Sequence, residues 1–116
     1  MAKSAKSHQV YTLLVQVGRA PGDGLPEGAT GAQLLCYASG VDEAEAVRET
    51  VAVLKQADLA PLDVTGYGTP EELKAMGLDL GDEERALMDR ARAENAVIVA
   101  QVTPEFETDQ NTEKLH

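Results

Sequence analysis

The stretch Asp63–Leu73, DVTGYGTPEEL, runs from an extended segment through two glycines into a helix start. Many proteins cradle a phosphate in such an arrangement, because glycines admit close backbone approach and a helix start presents unpaired N–H groups. Here those groups have other partners in view. Thr69 can cap the helix, Pro70 fits its first position and Glu72 completes a capping box. Two carboxylates, Glu71 and Glu72, already occupy the positive helix end, and no lysine follows the glycines as a P-loop requires. The stretch therefore reads as a turn with its own cap.

Other reactive patterns fare no better. GDGLPEG, within Gly18–Gly31, loosely follows the dinucleotide fingerprint, but Pro26 and the next strand leave no room for the helix that motif needs. His8 and His116 lie at opposite ends, and Cys36 is alone, so neither a metal site nor a Ser-His-Asp or Cys-His pair can be assembled. Asp79, Asp82, Glu83 and Glu84 lack the alternation of a calcium loop. No cofactor is expected. The residues left with binding potential are Gln33, Tyr37, Asp63 and Tyr67, with Asp63 the one available base.

Composition narrows the partners. The 116 residues carry 20 acids against 10 bases, a net charge of −10, which repels nucleic acid and anionic membranes alike. A basic protein, a neutral small molecule or a second copy suits such a surface better. With 43% apolar residues but one Phe, three Tyr and no Trp, the core must be aliphatic. A lone cysteine and the lack of any apolar run long enough to span a bilayer suggest a reducing cytoplasm.

Periodicity supplies the elements that would position these groups. Gln9–Val17, Ala32–Ser39 and Leu62–Tyr67 alternate with period two, and Ala96–Thr103 is a fourth strand that Pro104 should end. The segment from Asp42 to Leu59 is a helix capped by Asp42, with Glu45 three residues on and an apolar stripe of Ala44, Val47, Val51 and Leu54. After a short helical turn at Thr69–Glu72, Asp82 should cap a second long helix whose inner face bears Leu87 and Ala91. One domain over 8–104 is expected, with flexible tails at 1–7 and 105–116 and a mobile hairpin connection over Gly18–Gly31.

The order β-β-α-β-α-β suggests an α+β two-layer sandwich of the ferredoxin-like type, a four-stranded sheet with two helices on one face. A small three-layer α/β fold is the alternative. In the two-layer form, Leu13, Val15, Leu34, Cys36, Val64, Ile98 and Ala100 meet the helices. The opposite face mixes hydroxyls and amides with Leu14, Leu35, Val97 and Val99, a composition that suits an interface. The first expectation is a non-catalytic module that homodimerises through that face. Its rivals are a small-molecule site, or a small enzyme, at the same face and the glycine-rich loop, and an acidic inhibitor that docks on a basic protein.

Overall fold

The computed structural model describes residues 8–78 and 80–106. Four strands, β1 (Gln9–Gly18), β2 (Ala29–Gly40), β3 (Ala60–Gly68) and β4 (Val97–Phe106), form one antiparallel sheet in the order β3-β1-β2-β4. Three helices complete it: α1 (Glu43–Gln56), α2 (Pro70–Ala75) and α3 (Asp82–Glu94). The class is α+β as expected. The chain order β-β-α-β-α-α-β differs from the expected one by the added helix, and it is not the β-α-β-β-α-β order of a ferredoxin-like fold.

The helices do not share a face. Leu54 of α1 packs into Val15, Val17, Ala32, Leu34 and Cys36, while its Ala46 meets Leu13 and Ala38. We call this the first face. Met88 and Ala91 of α3 and Leu73 of α2 pack instead on Val10 and Tyr37, which point the other way along the same strands. The sheet is thus sandwiched, and the two-layer expectation is corrected to three layers. The cause lies in the second face, which is apolar enough at one end to take a helix pair.

Register explains a further correction. Cys36 is opposite Val99 and Leu35 is opposite Gln101, so Ala100 is an extra residue on β4. Such a bulge puts Val97, Val99 and Val102 on the first face and Ile98 and Ala100 on the second, where the latter two join the α3 cluster. That inverts the assignment made from the sequence, because a one-residue slip flips every side chain. Pro104 does not end β4. It lies opposite Ala32 on an edge strand, where a missing N–H is tolerated. Likewise Leu62, expected beside Val64, sits at a bulge between Asp63 and Pro61 and is 69% exposed.

Local signals hold where the hydrogen bonds are local. The Asp42 carboxylate accepts from Glu45 N at 2.8 Å, and Glu45 in turn accepts from Val41 N at 2.7 Å. The buried stripe of α1 is Ala46, Thr50 and Leu54 rather than one containing the exposed Ala44. Thr50 tolerates full burial because its hydroxyl donates to Ala46 O at 2.8 Å. At α3 the cap is Gly81, one residue before the expected Asp82.

The glycine-rich connection is ordered by one ion pair. Asp23 accepts from Arg19 Nε at 2.9 Å and from the backbone N–H groups of Ala20 and Leu25, while Arg19 donates to the carbonyls of Pro26 and Ala29. The Arg19 guanidinium, then those two amides, hold the Asp23 carboxyl well below the usual carboxylate range. A hairpin connection with this much internal bonding is a built turn. Of the expected tails 1–7 and 105–116, residues 1–7 and 107–116 lie outside the described residues, whereas Glu105 and Phe106 belong to β4.

Candidate functional site

The opening motif resolves as a cap. Thr69 N donates to Glu72 Oε1 at 2.8 Å and Glu72 N donates to the Thr69 hydroxyl at 3.3 Å, so both halves of the capping box are made. Gly68 has φ +97°, a conformation open to glycine, and its place is at the turn rather than around an anion.

The four candidate ligand contacts do not converge. Tyr37 is 2% exposed beneath α3, and burial, then the Glu84 carboxylate, raises its phenol above the ordinary value. Tyr67 lies at the outer edge on β3 and is exposed. Gln33 and Asp63 do share the uncovered half of the second face, on either side of Gln16. Gln33 Nε2 donates to Gln16 Oε1 at 3.4 Å, and Gln16 Nε2 donates to Glu105 Oε1 at 2.5 Å. This row is largely occupied with itself. Of the interface set, Leu14 and Leu35 are cross-strand neighbours and half-buried on that face. Val97 and Val99 belong to the first face, so the proposed set is split in two. Cys36 is fully buried, and burial pushes its thiol up to about 11, which leaves little thiolate for chemistry.

A concavity lies elsewhere, between α2, α3 and the start of β1. This half-open groove has a volume of about 390 Å³, within the range of small-molecule sites. Val10, Leu80 and Met88 give it an apolar lining, and the half-exposed Leu78 stands at its edge. Val10 and Met88 belong to the core cluster, so this part of the wall is held by packing. Polar groups surround it: Lys74 and Glu71 on α2, and Arg85, Asp89 and Arg92 on α3.

The charge pattern is unlike the rest of the molecule. Three of the ten cations of a chain with net charge −10 line this groove, against two carboxylates. Among the described residues the ion pairs are Arg19–Asp23 and Arg90–Glu94, and none of the three groove cations is in one. Three cations with no close carboxylate partner among the described residues can be shared with a bound anion. Among the described residues the lining has no Ser, Thr, Cys, Tyr or His, and so no conventional nucleophile.

None of these groove residues figures among the candidates read from the sequence. One signal was available there: Arg85, Met88, Asp89 and Arg92 recur at intervals of three and four, one stripe of α3. The partners from α2 and β1 come from distant segments and have no sequence signature.

The chain belongs to the family described as a domain of unknown function (DUF8846), whose model matches residues 10–106. No curated protein and no solved structure matches it. Among the described residues no helix is long and apolar enough to cross a membrane.

Proposed function

We propose that this member of the family is a non-catalytic binding module whose working site is the groove between α2 and α3, and that it takes a small molecule with an apolar body. The observation that carries this reading is the joining of an apolar lining, Val10, Leu80 and Met88, to a half-open groove of about 390 Å³. Sites of that size and lining bury most of a small ligand, and their few polar groups fix its orientation. The lone buried thiol suits a reducing, cytoplasmic setting.

Nile red, a neutral dye that brightens in apolar surroundings, tests the groove directly. Its fluorescence should rise on adding the native protein and fall back with Leu78→Asp, which places a carboxylate at a half-exposed edge position without disturbing the core. Equal brightening by both proteins, or none by the native one, would sink the reading.

A second reading keeps self-association, now through the uncovered half of the second face. The half-buried Leu14, set beside the Gln16–Gln33 row and opposite Leu35 at the rim of the α3 cluster, favours it. Two copies meeting there would cover both leucines and let the amides bond across the seam. Leu14→Lys should then convert a dimer into a monomer in sedimentation at tens of micromolar, a concentration that reveals association of about −8 kcal/mol. A native chain that sediments as a monomer there contradicts it.

A further inference from the structure

We infer that the ligand of the α2–α3 groove is an amphipathic anion: one singly charged carboxylate head on an unbranched aliphatic tail. This rests on the groove reading and adds the chemistry of its ligand. An apolar lining alone would accept any greasy molecule. What separates this groove is that Lys74, Arg85 and Arg92 border it while the chain as a whole is at −10. A chain at −10 repels anions on the whole; among the described residues that line the groove, three cations stand beside the two carboxylates Glu71 and Asp89.

The three cations set the sign of the head: an anion is drawn to them, while a ligand cation would add to the three already present. A polyanion would also meet Glu71 and Asp89, so the head carries a single charge. The cations also lie in sequence where a head can choose among them. Lys74 closes α2 and Arg85 is in the first turns of α3, on either side of the Met76–Gly81 connection. Arg92 lies seven residues beyond Arg85, about 10 Å along the helix at 1.5 Å per residue. Met88 stands between the two arginines and is 3% exposed, part of the fixed wall along which an aliphatic tail would run.

The test is a calorimetric series on the full chain. Hexanoate, octanoate and decanoate vary the tail; decanol, decylamine and decyl phosphate vary the head. Affinity should rise about fourfold for each added CH2, the fold-change that corresponds to roughly 0.8 kcal/mol of burial. Decanoate should bind more tightly than decanol and than the largely dianionic decyl phosphate, and decylamine most weakly, with the anion's advantage shrinking in high salt. Tighter binding of decyl phosphate than of decanoate would overturn the singly charged head. Lys74→Gln and Arg85→Gln should each weaken decanoate about fivefold and leave decanol unchanged, the size expected of an exposed ion pair. Equal binding of decanol and decanoate would overturn the anionic head while leaving the groove as an apolar site. Failure of every decyl compound to bind would overturn both.

Discussion

Leu34→Ala will lower the unfolding free energy by about 3 kcal/mol, within the 2–5 kcal/mol that buried leucine truncations cost. Leu34 is 1% exposed and sits at the centre of the cluster that joins Val15, Val17 and Cys36 to Leu54 of α1. The loss has two parts, the transfer free energy of the removed methyl-bearing carbons and the cavity they leave. β2 is a central strand, paired on both sides, so its backbone has little freedom to close that cavity. Single domains are stable by about 5–15 kcal/mol, so this one change should remove a large share. Urea denaturation should show the midpoint fall with the slope unchanged. Leu62→Ala serves as the control, since Leu62 is 69% exposed and its truncation should stay within about 0.5 kcal/mol. A loss at Leu34 no greater than at Leu62 would contradict the assigned core.

Ala46→Leu and Ala91→Leu together should cost about 2–6 kcal/mol, and their separate costs should add. Both alanines are fully buried where a helix meets the sheet, Ala46 of α1 against Leu13 and Ala38, Ala91 of α3 against Val10 and Tyr37. Inserting a leucine at such a contact forces strain of about 1–3 kcal/mol. The two sites lie on opposite faces with the sheet between them, so the strains have separate outlets. Sites with no shared partners add to within about 0.5 kcal/mol. A coupling well above that would mean that the helices press on common side chains, as they would if packed together on one face. The double-mutant cycle therefore reports the layer arrangement without a structure of either variant.

The legible parts of the chain are those whose partners are close in sequence. Asp42 and Glu45 cap α1, and Thr69 and Glu72 close the α2 capping box, because each bond spans only a few residues and depends on residue type alone. The same locality answers the question of Asp63–Leu73, since the donors that a phosphate would use are taken by the helix's own cap. Alternation located β1, β2 and β3 for a similar reason, a short apolar run located β4, and apolar spacing located the two long helices. The α+β class follows from these elements.

Which face each helix covers was a tertiary decision. Both faces of β1 and β2 carry apolar residues, Leu13 and Val15 on one, Val10 and Leu14 on the other, so composition left the choice open. In β4 the run Val97–Ala100 is apolar at every position, and periodicity cannot orient a strand that lacks a polar side. Only its pairing with β2, with the bulge at Ala100, fixes Val97 and Val99 on the face of α1. Of the candidate ligand contacts, the sheet register brings Gln33 and Asp63 to one half-face, and α3 removes Tyr37 from it. The groove itself needed α2, α3 and the first residues of β1 to meet. Its α3 stripe was present in the amino-acid order, but a stripe becomes a wall only when packing supplies the one opposite, and that depends on contacts between segments as distant as Val10 and Met88.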